Sequence, residues 1–384
     1  MYNLLKNIFF GFVIVYFSQG VLYPNGSIIS KVSLLVILLI SSFFLFYTML
    51  IVEKKPVFYW VWFSLLFVNV LGYFYGLEHG GIYYSQIKNI CIAILPFYFI
   101  YFLSIKNYIG KNYLLFFMLL ICPLMIMSLY IDKSNSIDEY MVDENQVVSN
   151  TAYIFVALLP YVFLWGEKKL FAFLNMLLVL FFVFQGAKRG ALVTSLVGML
   201  IFLYYQITNF KPGKKLISIF FTFFTLNLFT IIVYYFYKTN EYLIYRMQNL
   251  NNTSNRDVIY QNLWNTWYNT ESMFNVFFGF GFVASVEYSG LGYLAHNDWL
   301  ELLINFGLFG VFLYFTILLS LIYLIFFGNL SRENKFILIT IVVIWIFQTL
   351  FSMYYTSSLT LFSAILMGYI LGCLKRKKHI SGFE

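Results

Sequence analysis

Apolar runs of about 20 residues recur along the whole chain, and short polar segments separate them. A helix of that length crosses a hydrocarbon core about 30 Å thick, so each run predicts a membrane-spanning helix. The pattern indicates about twelve spans, and the expected fold class is all-α, a polytopic membrane protein. The predicted bounds are 4–22, 28–52, 57–77, 87–105, 113–131, 151–165, 170–187, 191–208, 216–237, 300–327, 336–354 and 359–374.

The composition strengthens this prediction. With 61% hydrophobic residues, 10% charged residues and a mean hydropathy of +0.81, the chain has too little polar surface for a soluble protein of 384 residues. We expect residues 1–384 to form a single integral membrane domain. The first apolar run lacks a small-residue cleavage site, so we expect it to be retained as a membrane helix.

The net charge of +8 could indicate a nucleic-acid partner, but the distribution of the charges argues against one. If the N and C termini are both cytoplasmic, the inner segments hold 16 of the 24 basic residues and only 4 of the 16 acidic residues. This is the positive-inside pattern of membrane proteins, and it predicts the orientation of the chain. The basic cluster Lys375–Lys378 is then an anchor at the anionic inner leaflet, and membrane lipids are the expected partners.

Two outer loops carry most of the polar residues. Residues 132–150 form a smaller, acidic extracytoplasmic loop, which we expect to be a solvated cap. Because it has no Asp-x-Asp spacing, the case for a metal ion there is weak. Residues 238–293 form a large extracytoplasmic loop that is rich in amides and aromatic side chains.

The large loop is expected to contain one short amphipathic helix. Ser254 and Asp257 have capping-box spacing, which predicts a helix start. Ile259, Leu263 and Trp267 follow at intervals of four residues, so the helix would lie on the outer membrane surface. After it, the sequence Gly279-Phe280-Gly281 predicts a tight turn.

Four charged or titratable side chains are candidates for chemistry at the outer face. Lys188 and Arg189 lie at a predicted tight reversal, where they would bind an anion or extend to lipid phosphates. Arg256 lies in the first turn of the loop helix, where it would face an anion or pair with Asp257. His296 precedes a helix and is either a proton acceptor or a structural residue.

The surroundings of His296 add three expectations. Asp298 and Glu301 suit the positive end of the helix that follows, as acidic residues in its first turn. Gly307 and Gly310 predict close approach by another helix. His79 has no supporting context and is expected to be a loop residue.

These segments together resemble the O-antigen polymerase and O-antigen ligase family of bacterial inner-membrane glycosyltransferases. An arginine that opens the loop helix, Arg256, fits the family pattern, whereas Lys188 departs from it because a serine is common at that position. The remaining motifs are His296-Asn297-Asp298-Trp299-Leu300-Glu301, Phe306-Gly307-Leu308-Phe309-Gly310, Arg189-Gly190-Ala191 and Gly279-Phe280-Gly281.

The resemblance implies transfer of a glycan from undecaprenyl diphosphate to a sugar hydroxyl at the outer face of the membrane, without a metal ion or other cofactor. Arg189, Arg256 and Lys188 would bind the diphosphate, and His296 would be the general base. The implied glycan-binding residues are the aromatic side chains Trp264, Trp267 and Tyr268 and the amides Asn262 and Asn265.

A polymerase of O-antigen or another surface polysaccharide is favoured, because the extreme aromatic content suits the divergent polymerases. A ligase that transfers the glycan to lipid A core is the closest alternative. A flippase or transporter would place charged residues near the bilayer midplane, and these spans are nearly uncharged. An assembly protein without chemistry is a third alternative.

The resemblance also implies where the protein acts and with what. The expected location is the bacterial cytoplasmic (inner) membrane, as a multi-pass protein with its active site facing the periplasm. The expected partners are an undecaprenyl-diphosphate-linked oligosaccharide, a chain-length regulator and a flippase, and no nucleic acid.

Overall fold

The computed structural model describes residues 1–75, 80–140, 149–166, 168–209, 215–239 and 255–380, and every regular element in them is a helix. A 3-10 helix spans Leu159–Trp165. The α-helices in chain order are α1 (Tyr2–Phe17), α2 (Ile28–Ile51), α3 (Val57–Tyr75), α4 (Gly81–Ile94), α5 (Pro96–Ile105), α6 (Lys111–Tyr140), α7 (Ala152–Leu158), α8 (Lys169–Gln185), α9 (Arg189–Thr208), α10 (Lys215–Thr239), α11 (Arg256–Tyr268), α12 (Met273–Phe278), α13 (Ala284–Tyr288), α14 (Asp298–Phe327), α15 (Arg332–Phe351) and α16 (Thr360–Ile380).

Seven helical segments in the described part are long and apolar enough to cross a membrane. They confirm a helical, multi-pass architecture, and each predicted span coincides with a helix or a pair of helices. The count of about twelve spans stays a prediction, because several of the other helices are shorter apolar ones. The seven segments are Ile28–Ile51, Val57–Phe74, Gly81–Ile105, Lys111–Asn135, Arg189–Thr208, Asp298–Phe327 and Arg332–Phe351.

The predicted acidic loop at 132–150 is partly helical, because α6 continues to Tyr140. At the far side of that segment, Thr151 donates a hydrogen bond from its hydroxyl to the Asp132 carboxylate. Residues 141–148 of the predicted loop lie outside the described residues, as does His79. The start of the large loop at 238–293 is likewise outside them, at 240–254.

The most completely buried helix is α5, all of whose residues from Pro96 to Ser104 are buried. It packs along α16, where glycines allow close approach of the two backbones. A Cβ atom on Gly368 would come within 2.7 Å of the Phe97 carbonyl oxygen, and one on Gly372 would collide with Ser104. The close packing of these two helices accounts for the burial of α5.

The segments predicted to be cytoplasmic meet at one end of the structure. Lys375 Nζ donates to the Lys54 carbonyl at 3.4 Å, and Lys111 pairs with Glu333 at 3.1 Å. Arg376 also contacts Asn107 at this end. These contacts join segments that the charge pattern assigns to the same side, and the orientation of the chain in the membrane stays a prediction.

Candidate active site

A polar cavity of about 470 Å³ brings together three of the four candidate side chains, Lys188, Arg256 and His296. The cavity volume falls in the range of small-molecule binding sites, about 300–1,000 Å³. More than a hundred residues separate Lys188 from His296 in sequence, so this convergence is a property of the fold. The other lining residues are Gln86, Asn89, Asn150, Tyr153, Leu294, Gln348, Ser352, Met353, Thr356, Ser357 and Leu359.

His296 has a strained backbone conformation just before the N-terminal end of α14. Its φ of 54° is in the left-handed region, which non-glycine residues adopt rarely and at a cost of about 1–3 kcal/mol. On one side the amide of Ala295 donates to Glu301 Oε1 at 2.5 Å. On the other side Asn297 caps α14 by accepting from the amides of Trp299 and Leu300. Both neighbours are fixed, so the backbone holds the imidazole at the cavity.

The two acidic residues after His296 do more than suit the helix end. Both lie in the first turn of α14, as predicted, but both are buried and bind other parts of the chain. Glu301 accepts from the Ser285 hydroxyl as well as from Ala295. Asp298 accepts from the Tyr314 hydroxyl and from the amides of Tyr354 and Tyr355.

These bonds assign a positioning role to each carboxylate. The Asp298 bonds fix the segment between α15 and α16, which supplies Ser352, Met353, Thr356 and Ser357 to the cavity wall. The Glu301 bonds fix Ser285 in the large loop and Ala295, the residue before His296. The first turn of α14 therefore positions two parts of the cavity wall, one through Asp298 and the other through Glu301.

A break in α14 ties the large loop to this helix. Gly307 has φ 62° and ψ −156°, so the helix is interrupted there. A continuous helix would pair the carbonyls of residues 304 and 305 with the amides four residues later. Here the Ile304 carbonyl accepts from the Phe280 amide at 2.8 Å, and the Asn305 carbonyl accepts from the Gly281 amide at 3.1 Å.

Both glycine motifs of the sequence are explained by this junction. Gly279 and Gly281 have positive φ, which confirms the predicted tight turn. The expectation that these glycines admit a neighbouring helix is confirmed at Gly307, which lies against the end of α12, but not at Gly310, which meets only atoms of its own helix. A Cβ on Gly307 would lie 2.5 Å from the Phe277 carbonyl carbon, and one on Gly310 would lie 2.7 Å from Phe306 Cβ of the same helix.

Arg256 opens α11, and the residue before it, Asn255, has a left-handed φ of 62°. The helix start is confirmed, with Asn255 at the cap position, and Ser254 of the predicted capping box lies outside the described residues. Arg256 Nη1 donates to the Phe351 carbonyl at the end of α15, at 2.6 Å. This bond orients the guanidinium of a side chain that lines the cavity.

Lys188 and Arg189 are placed differently although they are adjacent. Lys188 caps α9 with an extended backbone and lines the cavity, whereas Arg189 begins the helix and is not a lining residue. The glycine of the Arg189-Gly190 motif is required for steric reasons. A Cβ there would lie 2.7 Å from Phe351 Cβ and would collide with the Tyr153 hydroxyl.

The cations change the proton affinity of the imidazole. Partial loss of hydration, together with the positive charges of Arg256 and Lys188, lowers the pKa of His296 to about 4. At neutral pH the imidazole is therefore uncharged and has a lone pair available to accept a proton.

Residues 174–315 match a family model described as O-antigen ligase. The resemblance to the O-antigen ligase and polymerase family is confirmed. The matched segment contains Lys188, Arg256 and His296 together with the glycine junction between the large loop and α14. No curated protein matches the chain.

Within the matched segment, the five predicted glycan-binding residues do not line the cavity. Asn262 Nδ2 donates to the Ser289 carbonyl at 2.9 Å, and Trp267 Nε1 donates to the Val276 carbonyl at 3.3 Å. Trp264 and Tyr268 are exposed and stacked, with ring centroids 6.5 Å apart, and Asn265 is exposed. Two of the five residues, Asn262 and Trp267, therefore bind α11 to the rest of the loop.

The amphipathic character of α11 is confirmed, but its apolar face is turned inward. Ile259 and Leu263 are buried against Ala284, Ala295 and Ile304. The helix therefore packs on the loop and on α14 rather than presenting this face to the membrane surface. That packing positions Arg256 at the cavity.

Several residues that line the cavity lie outside the matched segment and were not predicted from the sequence. Gln86 and Asn89 come from α4, Gln348 from α15, and Thr356 from the segment that follows. An amide side chain within an apolar span could have indicated some of these lining residues, because a buried amide in a membrane helix needs a hydrogen-bond partner. Such amides stand at positions 86 and 348.

Proposed function

We propose that the protein is a polysaccharide polymerase, which transfers a polyprenyl-diphosphate-linked glycan to the sugar hydroxyl of another lipid-linked repeat unit. The observation that carries the proposal is the shared cavity of His296, Lys188 and Arg256 within a segment that matches the O-antigen ligase family. An uncharged imidazole beside two cations provides a proton acceptor next to a site for an anionic leaving group.

The reaction joins the acceptor hydroxyl oxygen to the anomeric carbon of the donor sugar. The bond between that carbon and the diphosphate oxygen breaks, and the diphosphate leaves with the electron pair. His296 takes the proton of the attacking hydroxyl. Arg256 and Lys188 stabilise the negative charge that grows on the diphosphate.

The bond from Arg256 to Phe351 supports this role. A guanidinium has five N–H donors in a fixed plane, so one bond to a carbonyl can orient the group while other donors face an anion. The interaction with Phe351 thus prepares the guanidinium before substrate arrives, which reduces the cost of ordering it.

Substrate binding would also strengthen the base. The charges of Arg256 and Lys188 lower the pKa of His296 in the free protein. A bound diphosphate brings negative charge that offsets these cations, so the pKa of the imidazole rises when the donor is present. His296 is then a better proton acceptor in the complex than in the free protein.

We place this chemistry at the periplasmic face of the bacterial inner membrane. The support is the gathering of Lys54, Lys111, Lys375 and Arg376 at the other end of the structure, which the positive-inside rule assigns to the cytoplasm. Under this orientation the donor is undecaprenyl diphosphate, whose apolar tail would remain in the bilayer.

A ligase is the second candidate, because the matching family model is described as O-antigen ligase. It would use the same donor and the same three side chains but a lipid A core acceptor. The high content of aromatic residues, 23% of the chain, favours the divergent polymerases.

The test is replacement of His296 by Ala in a strain that depends on this gene, with surface polysaccharide separated on a gel. A polymerase predicts single repeat units on the core and no ladder, whereas a ligase predicts no attached glycan. The matched control is His379→Ala, at the cytoplasmically assigned end of α16, which should keep the ladder. Equal membrane levels of both variants are required, and an intact ladder with His296→Ala would refute the proposal.

A further inference from the structure

Two buried polar side chains in the cavity have an atom without a hydrogen-bond partner among the described residues. Gln86 is 8% exposed and its Oε1 is unpartnered, and Thr356 is 6% exposed and its Oγ1 is unpartnered. Buried polar atoms in proteins are nearly always hydrogen-bonded, so an exception in a cavity wall indicates a ligand or bound water. Both residues line the same cavity as His296.

These side chains belong to elements that the proposed chemistry does not use. Gln86 lies on α4, and Thr356 lies between α15 and α16, both outside the matched segment 174–315. Asn89 also lines the cavity and is three residues after Gln86, so the two amides share one face of α4.

The chemistry of these groups differs from that of the cations. An amide and a hydroxyl are neutral, and each can both donate and accept a hydrogen bond. A sugar hydroxyl has the same dual capacity, whereas a diphosphate only accepts. The cavity thus contains a cationic set suited to diphosphate and a neutral set suited to sugar hydroxyls.

We infer that Gln86, Asn89 and Thr356 form a subsite that binds the sugar hydroxyls of the substrate beside the reacting bond. This inference rests on the proposed function. It assigns sugar recognition to the cavity wall formed by α4 and the α15–α16 segment instead of to the loop helix α11. The sugar belongs either to the donor or to the acceptor, which have the same chemistry.

The test uses Gln86→Leu and Thr356→Val, which remove the polar atoms with little change in size. The probes are lipid-linked repeat units extracted from a strain without this gene and the free glycan that mild acid releases from them. The free glycan lacks the diphosphate, so it can accept but cannot donate. KM and kcat are measured for each probe in turn with purified protein in nanodiscs.

We expect each substitution to raise KM by roughly 2- to 10-fold, the cost of one neutral hydrogen bond. A rise for the free glycan alone assigns the subsite to the acceptor, and a rise for the lipid-linked donor alone assigns it to the donor. The conservative variant Thr356→Ser should restore KM. Asn175→Leu is the matched control, because Asn175 is an amide on α8 that bonds the carbonyl of Phe171 within its own helix.

Two results separate the failure of the subsite from the failure of the proposed function. If the wild-type protein transfers glycan and both KM values are unchanged in the variants, only water fills the site and the inference is overturned. If the wild-type protein transfers nothing, calorimetric binding of the free glycan decides. Binding that Gln86→Leu weakens and Asn175→Leu retains would support the subsite without the reaction, and binding equal in both variants would overturn it.

Discussion

The backbone amide of Tyr354 donates to both carboxylate oxygens of Asp298, at distances of 3.1 and 3.0 Å. The two residues belong to different segments, the first turn of α14 and the connection from α15 to α16. Because Tyr354 follows Ser352 and Met353 and precedes Thr356, this bond sets the position of one cavity wall relative to His296.

Replacing Asp298 with Ala should therefore destabilise the protein and disable the site together. Three buried donors, the amides of Tyr354 and Tyr355 and the Tyr314 hydroxyl, would lose their acceptor, at about 1–3 kcal/mol for each unsatisfied group. Thermal unfolding of the purified protein in detergent and the polysaccharide ladder are the measurements. Glu287→Ala, which removes an exposed acid on α13, is the control and should change neither.

Gly307→Ala should prevent correct assembly of the large loop on α14. The substitution places a Cβ 2.5 Å from the Phe277 carbonyl carbon at a residue whose φ is 62°, so both contact and backbone conformation oppose it. We expect a marked loss of folded protein, detected by fluorescence-monitored size-exclusion chromatography. Gly11→Ala on α1 is the matched control, because a Cβ there meets no atom within 4 Å. Equal yields of the two variants would contradict the proposed junction.

The membrane environment explains why some parts of this architecture could be predicted from the sequence alone. An apolar run long enough to cross the bilayer must satisfy its backbone internally, so the helices could be predicted from pattern alone. The clustering of Lys188, Arg256 and His296 was also predictable in outline. All three flank spans or loops assigned to the same membrane face, and few charged residues are tolerated there.

The roles of other residues depend on tertiary contacts that no local pattern encodes. Asp298 and Glu301 fit the simple expectation for a helix start, yet their carboxylates bind Tyr354 and Ser285 from other segments. Asn262 has the chemistry of a sugar ligand but is bonded to Ser289. Gln86 lies about two hundred residues before His296, and only the packing of α4 brings it to the same cavity.

The pH dependence of kcat/KM should report the lowered pKa of His296. In the free protein the imidazole stays uncharged down to about pH 4, so the acidic fall in kcat/KM should lie near that value rather than at 6.5. Removing a cation favours the imidazolium, so Lys188→Ala should shift this fall to higher pH. Lys335→Ala removes a cation near the opposite end of α15 from Gln348 and should leave the profile in place.

The same pKa direction affects stability. An unfolded chain binds a proton at His296 below its ordinary pKa of 6.5, whereas the folded protein resists it until about 4. His296 therefore opposes folding increasingly as pH falls from 6.5 toward 4, and it has no such effect above that range. A His296→Gln variant should lose less thermal stability than the wild-type protein between pH 6.5 and 4.5.

The structure and the family pattern differ most clearly over which of two adjacent cations, Lys188 or Arg189, binds the diphosphate. The resemblance emphasises the arginine, but the structure places Lys188 in the cavity wall and Arg189 outside it. If the cavity is the diphosphate site, Lys188→Ala should reduce kcat/KM by about 10-fold or more, because it removes a charge that stabilises the leaving group. Arg189→Ala should have a smaller effect on kcat/KM at equal membrane levels. The opposite order, measured with lipid-linked donor at fixed acceptor, would mean that the diphosphate binds on the Arg189 side and that the cavity holds only the sugars.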